Sequence, residues 1–230
     1  MNLLQLTQAL KRETGLSGGG PASVVTATGD DARLFNWINW AWRDIQLMHE
    51  SWLWRRGSAL GQVTTAATLH NLASPGFGLS DFADWKPENS EYKPSAWRVS
   101  DGQQNEQSLK FLSWDEYRAR FVLGTHQAGA VQYWSTAPDG EMWVGPTPDA
   151  AHMVRADYIK DVQDLTADTD TPDMPSRFHN LIVWRALIEY GGYDAASEVF
   201  QRADRNYSMG MPALLQAQLP QRWVSARPLA

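Results

Sequence analysis

The sequence predicts an α+β fold: an antiparallel four-helix bundle with an inserted antiparallel β region and an extended C-terminal tail. Apolar residues recur at helical spacing near both ends of the chain, whereas turn residues and alternating aromatic residues occupy its middle. The closing residues carry two prolines and two arginines and no acidic side chain. We therefore expect the two ends of the chain to form one helical body and the middle to form a sheet.

Five segments follow from these patterns. Residues 1–56 should form helices 1 and 2 of the bundle, and residues 57–160 an inserted β-rich region with a short helix. Residues 161–175 form an acidic linker, residues 176–218 form helices 3 and 4, and residues 219–230 form a C-terminal arm. The stretch 57–173 carries seventeen acidic and eight basic side chains, so the negative charge is concentrated in the middle.

The second predicted helix, Asp30 to Trp54, organises the fold and holds five of the twelve tryptophans. Thr28 stands three residues before Asp31, the spacing of a capping box at the helix start. One apolar stripe predicts a face packed into a core. Its members are Leu34, Ile38, Ala41, Ile45, Met48 and Trp52.

A second apolar set on this helix lies on the opposite side, next to Arg43, and comprises Trp40, Leu47 and Trp54. Either another helix of the same domain covers this set, or it forms a protein interface, where tryptophan and arginine are enriched. We therefore regard Trp40, Arg43, Leu47 and Trp54 as a candidate subunit interface.

The remaining helices have simpler signals. The first spans about residues 2–14 and ends at Gly15, where a C-terminal cap is expected. The third, FHNLIVWRALIEY, is apolar almost all round, which predicts a central position. The fourth can be capped by Asp194 and is expected to break at Met209 to Pro212.

The middle of the chain shows strand and turn signals. Two aromatic-rich runs flank Pro138 to Gly140, which predicts a hairpin at about residues 131–145. A third strand follows, because Val154, Ala156 and Tyr158 alternate with polar residues. The SWDE sequence at Ser113 to Glu116 predicts a capped short helix.

Two short motifs resemble ligand sites without matching them. Gly18, Gly19 and Gly20 follow no strand and precede no Gly-Lys-Ser/Thr, so a tight corner or a subunit contact is expected instead of a phosphate loop. Asp168 and Asp170 have the first spacing of a calcium loop, but its later positions lack the required residues. We expect a solvated linker there.

The residue inventory argues against an enzyme. The chain has no cysteine, its five histidines lie in separate segments, and no serine occupies a recognisable triad motif. We therefore predict no catalytic residue, no metal site and no cofactor. One alternative remains open, an aromatic-rich carbohydrate-binding or hydrolytic domain in which tryptophans stack on sugars and two carboxylates hydrolyse them.

Charge and hydropathy restrict the partners. The net charge of −6 argues against a broad nucleic-acid-binding surface, since phosphate contacts need clustered Lys and Arg. No apolar run approaches the length needed to cross a bilayer, and the N-terminal residues have the mixed polarity of an amphipathic helix. We expect a protein made in the cytoplasm that does not enter a membrane.

The order of elements, the GLSGGGPASV loop, the following TGD and the NWINWAWRDIQ helix together resemble the head-to-tail adaptor proteins of tailed bacteriophages. The likeness covers residues 15–46 in sequence and nearly the whole chain in organisation. It implies a structural virion protein of the neck that forms a ring, commonly of twelve copies, beneath the portal. Such a ring joins the portal to the tail and continues the DNA channel, through which DNA passes without specific binding.

The same resemblance assigns contacts to two segments. The arm is expected to reach the portal protein through Leu219, Arg222, Trp223 and Arg227. The loop with Gly18, Gly19 and Gly20 is expected to touch a neighbouring copy or a downstream tail or nozzle protein.

Overall fold

The structure, a computed structural model, describes residues 1–18, 20–63, 69–70, 77–85, 93–124 and 126–220. The chain divides into two compact units. The first, here called the helical unit, joins Met1–Arg55 to Val162–Ala230, and the second, the β unit, is Arg56–Asp161. The boundaries between the units therefore fall close to the change in sequence pattern.

Five α-helices occur in the described part of the chain. They are α1 (Leu3–Thr14), α2 (Asp30–Leu47), α3 (Trp114–Tyr117), α4 (His179–Tyr193) and α5 (Ser197–Gln218). The four longer helices pack together in the helical unit, and α3 belongs to the β unit.

The core of the helical unit draws apolar side chains from all four of its helices. Fully or almost fully buried members are Leu3, Leu6, Leu10, Leu34, Ile38, Ala41, Ile45, Ile182, Leu187, Ala203 and Leu214. Helix α1 starts at a reciprocal cap, in which Asn2 Oδ1 accepts from Gln5 N–H and Gln5 Oε1 accepts from Asn2 N–H. It ends at Gly15, whose φ of 77° is left-handed.

Residues 162–174, here called the return segment, lead the chain back into the helical unit. Leu165 and Met174 are buried in its core. Gln46 Nε2 donates to Gln163 O at 3.0 Å, and Gln163 N–H donates to Gln46 Oε1 at 2.8 Å. Asn39 forms the same pair of bonds with the backbone of Leu165, at 2.9 and 3.2 Å. Two side-chain amides of α2 thus bond this segment as a neighbouring strand would.

The β unit contains two sheets. The first has the order β1 (Arg56–Val63), β9 (His152–Lys160), β4 (Ser95–Arg98), β5 (Gln107–Ser108), with β3 (Phe82–Trp85) also paired to β9. The second has the order β2 (Leu69–His70), β8 (Met142–Gly145), β7 (Tyr133–Thr136), β6 (Lys110–Phe111). Inward residues of both sheets form a separate core that includes Val63, Trp134, Met142, Val144 and Val154.

The predicted fold class, an antiparallel four-helix bundle with an inserted antiparallel β region, is wrong. The chain is α+β, but its β part is a compact unit with its own core and nine described strands in two sheets. The β6–β7 pair is also parallel, whereas the inserted region was predicted to be antiparallel. The extended tail falls largely outside the described residues, which end at residue 220.

Three predicted helix features are also wrong. Helix α2 ends at Leu47, because the chain turns so that Trp52 Nε1 donates to Ile45 O at 2.9 Å. Its N-terminal cap is Gly29, which has no side-chain hydrogen bond, so Thr28 forms no capping box. Helix α5 runs without a break through Pro212, which lies exposed inside it.

Candidate functional site

The outer face of α2 exposes large apolar side chains. Trp40 and Leu47 are each 58% exposed, and Met48, just beyond the end of the helix, is 50% exposed. None of the helices in the described part of the helical unit covers Trp40 or Leu47, although Leu34, Ile38, Ala41 and Ile45 on the inner face are buried as predicted. The first interpretation of the second apolar set, burial against a helix of the same domain, therefore fails for these two residues.

Ion pairs border this apolar face. Arg43 Nη1 lies 3.8 Å from an oxygen of Asp164 in the return segment. Arg185 of α4 bridges Asp44 and Glu189, with both N–O distances at 2.6 Å. An apolar centre with a charged border is the composition of a protein interface.

Trp54 has a different environment from Trp40 and Leu47. Its ring stacks on Trp52 with centroids 4.3 Å apart and interplanar angle 19°, and on Trp42 at 6.2 Å. Trp42 and Trp52 are fully buried, and Trp54 is half-buried beside them. The structure therefore brings Trp54 into the aromatic packing of the core, apart from the exposed pair.

The glycine-rich loop lies against α1. Gly18 and Gly20 have φ angles of 95° and 92°, which L side chains rarely adopt. A β-carbon at Gly20 would stand 3.0 Å from Gln8 Cγ, and Gln8 Nε2 donates to Pro21 O at 3.1 Å. These two glycines thus have a local packing role, and Gly19 lies outside the described residues.

The start of the arm is part of the helical unit. Leu219 is half-buried against the core, and its N–H donates to Leu215 O at 3.0 Å. Arg222, Trp223 and Arg227 lie outside the described residues.

The two aspartates of the calcium-like motif bond to the protein backbone. The pKa of Asp168 is lowered by hydrogen bonds from the Ser23 side chain and from Val24 N–H, the latter at 2.7 Å. The pKa of Asp170 is lowered because its carboxylate accepts from the N–H groups of Ala167 and Thr166. These carboxylates fix the return segment and the loop before α2, a role that needs no metal ion.

Within the described ranges, no three His, Asp or Glu side chains come close enough to hold a metal ion. Among the same residues, no helix has both the length and the apolar character that crossing a bilayer requires. In the β unit Trp85 and Trp134 are almost fully buried, so these two rings do not form open sugar platforms, whereas Trp97 borders a cavity.

Comparison of the sequence with known protein families identifies the family of this chain. Residues 1–229 match the family described as SU10 adaptor protein. The chain belongs to this family. No curated protein matches the chain.

The protein is thus a structural adaptor of the bacteriophage head-to-tail connection, as its sequence resemblance implied. An adaptor of this family sits in the virion neck and interacts with other head and tail proteins, and the family is usually non-enzymatic. A cavity of the β unit lined by Arg98 and His152 corresponds to no sequence-predicted site. Its residues come from separate segments that only strand pairing brings together, so no local motif marks it.

Proposed function

We propose that the adaptor assembles into a ring, of about twelve copies as the family resemblance implies, that joins the portal protein to the tail. The observation that carries this proposal is the exposed apolar face of α2, with Trp40 and Leu47 at its centre. Leaving two such side chains in water is unfavourable by about 25 cal/mol for each Å² of apolar surface. A neighbouring copy that covers them removes this cost.

A ring needs two complementary surfaces on each copy, of which the α2 face is one. In a ring each copy uses one patch against a different patch of the next copy. The α2 face supplies the first patch, with Trp40 and Leu47 as anchors and Arg43 at the border. Trp54 supports this face from the core, and the loop with Gly18, Gly19 and Gly20 contributes to the contact with the neighbouring copy or with a downstream nozzle protein.

The arm provides the link to the portal. Leu219 fixes the start of the arm on the helical unit, while Arg222, Trp223 and Arg227 bind the portal protein. Contacts that are individually weak add up around a ring, because each bound arm raises the effective concentration of the next. The channel then continues through the ring, where DNA passes without specific binding, as suits a β unit with thirteen acidic and nine basic side chains.

The self-association experiment compares Trp40→Ala and Leu47→Ser with Met209→Ala by native mass spectrometry. Met209 is 74% exposed on α5, so its replacement removes a comparable apolar side chain from another surface. We expect the α2 variants to lose the ring-sized complex, whereas Met209→Ala keeps it. Rings of unchanged mass and stability in both α2 variants would exclude this face as the subunit interface.

The portal experiment deletes residues 221–230, which spares the packed Leu219. We expect the truncated chain to keep its own assembly state but to lose binding to the portal protein encoded in the same genome, measured by light scattering of the mixture. A second variant, Arg222→Ala with Trp223→Ala and Arg227→Ala, keeps the length of the chain. If both variants bind the portal normally, the arm assignment is wrong while the ring proposal stands.

A further inference from the structure

Strand β1 lies at the end of the first sheet and pairs with β9 on one side only. Both sides of β9 are occupied, since Tyr158 stands opposite Gly57 of β1 on one side and Trp85 of β3 on the other. In the part of the chain that the structure describes, no strand lies beyond β1, and no backbone hydrogen bond joins residues 57–63 to an element other than β9. The outer backbone groups of β1 thus have no partner among the described residues.

Strand β1 lacks the features that normally protect an edge strand. Edge strands are commonly kept from pairing with other chains by short length, by lysine or proline, or by a bulge. At the opposite end of the sheet β5 has two residues, and β3 has a register shift between Phe82 and Asp84. In contrast, β1 has eight residues in an unbroken register, and its residues 57–63 contain no charge and no proline. Of these three strands, β1 is therefore the one best suited to pair with another chain.

The side chains of β1 alternate between the core and the outside of the sheet. Residues 59, 61 and 63 are buried, and residues 58, 60 and 62 are exposed. Leu60 is 50% exposed in the middle of the outward row, between the neutral polar side chains of Ser58 and Gln62. It is the one large apolar side chain on the outward face of this strand. A strand that pairs here is therefore selected by the side chain that it places opposite Leu60.

The sequence of β1 is complementary to itself. In an antiparallel pair the core-facing residues of one strand must stand opposite core-facing residues of the other, because side chains alternate along each strand. A two-fold axis through Leu60 meets this condition and places Leu60 of both copies opposite each other. Ser58 then stands opposite Gln62 of the second copy, and all of residues 57–63 are paired without a charge. Apolar side chains directly opposite each other stabilise such a ladder, and like charges weaken it.

We propose that two copies of the adaptor pair through β1, in antiparallel orientation about a two-fold axis at Leu60. The first sheets of the two copies then form one continuous sheet, and each copy covers the exposed leucine of the other. A second copy fits this edge because it brings a matching leucine, a matching row of neutral side chains and an equally long free edge.

This contact differs in symmetry from the contact proposed for the ring. Neighbours in a ring use two different patches, whereas a two-fold pair uses the same patch twice. The β1 pair therefore forms between free copies before they enter the neck, and it closes an edge that would otherwise recruit other chains. This timing rests on the proposed ring, but the pairing itself does not.

Single cysteines test the pair and its register, because the chain has no cysteine of its own. Directly opposite residues of an antiparallel ladder have Cα atoms about 4.5 to 5.5 Å apart, which a disulfide can span. We expect Leu60→Cys to form a disulfide-linked dimer in oxidised glutathione. Ser58→Cys and Gln62→Cys are the matched controls, since two copies of either cysteine lie about 13 Å apart along the paired strands. Each control alone should stay unlinked, and a mixture of the two should link.

The linking pattern decides the proposal. No linked dimer in Leu60→Cys overturns it, and so does equal linking of all three single variants, which indicates random collision. The same cysteines are also tested together with Trp40→Ala, which removes the proposed ring contact. We expect linking of Leu60→Cys to persist in that background, and its loss there would mean that another contact brings the strands together. The ring itself is judged by its own mass, so either proposal can fail alone.

A measurement on the unaltered chain covers the case in which the cysteine variants do not fold. Hydrogen exchange read by mass spectrometry is compared at low protein concentration and at about 100 µM, where a pair of micromolar Kd is formed. We expect exchange in residues 57–63 to slow at the higher concentration, because the outer amides of β1 become hydrogen-bonded, and exchange in β8 to stay unchanged. Exchange in β1 that does not depend on concentration overturns the proposal.

Discussion

The carboxamide of Gln46 bonds the backbone of a residue far away in the sequence. It is 1% exposed and exchanges two hydrogen bonds with Gln163 of the return segment. Gln46→Leu keeps the size of the side chain but leaves the N–H and C=O of Gln163 without these partners. We expect the free energy of unfolding to fall by about 1 to 3 kcal/mol, measured by urea denaturation.

Gln201→Leu serves as the control for this substitution, because Gln201 is exposed on α5. We expect that variant to stay within about 0.5 kcal/mol of the original chain. If Gln46→Leu is as stable as the control, the two hydrogen bonds make no net contribution to the free energy of unfolding.

Gly20 and Gly192 form a second comparison between single residues. Gly20 has a left-handed φ, and an added methyl group would stand 3.0 Å from Gln8 Cγ and 3.3 Å from its Cα. Gly192 lies in α4, and a methyl group added there would meet no atom within 4 Å. We expect Gly20→Ala to lower the unfolding free energy by about 1 to 3 kcal/mol and Gly192→Ala to raise it by up to about 1 kcal/mol. Thermal unfolding that changes equally in both variants would contradict this explanation.

The environments of some single residues could be predicted from the sequence, and those of others could not. The inner face of α2 was predictable because residues three and four apart share a side of a helix, and Leu34, Ile38 and Ile45 are indeed fully buried. Met48 was assigned to the same stripe, but the helix ends before it, so its side chain is half exposed. The partner of Gln46 was not predictable, since nothing local relates positions 46 and 163.

At the scale of elements, the short helix α3 starts at a reciprocal cap. Ser113 Oγ accepts from Glu116 N–H, and the Glu116 carboxylate accepts from Ser113 N–H and hydroxyl. The hydrogen bond from the Ser113 hydroxyl is the main cause that lowers the pKa of Glu116. A carboxyl whose pKa is lowered by folding stabilises the folded state above its unfolded pKa, and this contribution disappears as the pH falls through the folded pKa.

Ser113→Ala therefore has a pH-dependent effect. We expect the ¹³C titration of the Glu116 carboxyl to shift upward in this variant, towards its ordinary pKa. The difference in unfolding free energy between the variant and the original chain should be larger at neutral pH than under acidic conditions, where Glu116 is protonated in both. Ser108→Ala, at an exposed position on β5, is the control, and a Glu116 titration that Ser113→Ala leaves unchanged would refute the assignment.

Elements with local signals were predicted well, and those that depend on distant partners were not. The SWDE capping box is confirmed, and so is the hairpin, which is formed by β7 and β8 around the Pro138 to Gly140 turn. The third predicted strand is confirmed as β9, with Val154, Ala156 and Tyr158 buried. Its position between β1 and β4 could not be predicted, because alternation indicates which face is buried but not which strand lies beside it.

At Pro212 the local sequence predicts a helix break, but tertiary packing keeps the helix continuous. A proline inside a helix removes one hydrogen bond and costs about 3 kcal/mol in isolation. In α5 this cost is offset, because Met211 and Leu214 on either side of it are buried against the core. The helix therefore continues where the sequence predicted a break.

At the scale of the whole molecule, each unit has its own apolar core. Met142 of β8 is fully buried in the core of the β unit, and Ile182 of α4 is fully buried in that of the helical unit. We expect Met142→Ala to destabilise the β unit by about 2 to 5 kcal/mol. Hydrogen exchange read by mass spectrometry should then accelerate in β7, β8 and β9 and stay unchanged in α2 and α4.

Ile182→Ala provides the reciprocal test, since it should accelerate exchange in α2 and α4 and leave β7 and β8 unchanged. If either substitution accelerates exchange equally throughout the chain, the two cores unfold as one cooperative body.

The acidic side chains are also distributed between the two units differently from what the sequence pattern suggested. The acidic stretch 57–173 extends past the β unit, so Asp164, Asp168, Asp170 and Asp173 belong to the helical unit. Two of these carboxylates bond backbone N–H groups of the return segment and of the loop before α2. Part of the negative charge therefore stabilises local structure, which a count of charges along the sequence could not reveal.

The helical unit is built from both ends of the chain, which has a consequence for its synthesis. When a ribosome has released α1 and α2, their partners α4 and α5 are still encoded more than a hundred codons downstream. At bacterial elongation rates this interval lasts on the order of ten seconds. During that time the leucines of α1 and the buried Trp37 and Trp42 of α2 lack the cover that α4 supplies in the folded unit. The nascent adaptor is thus exposed to chaperones and to premature contact between chains on the same messenger RNA.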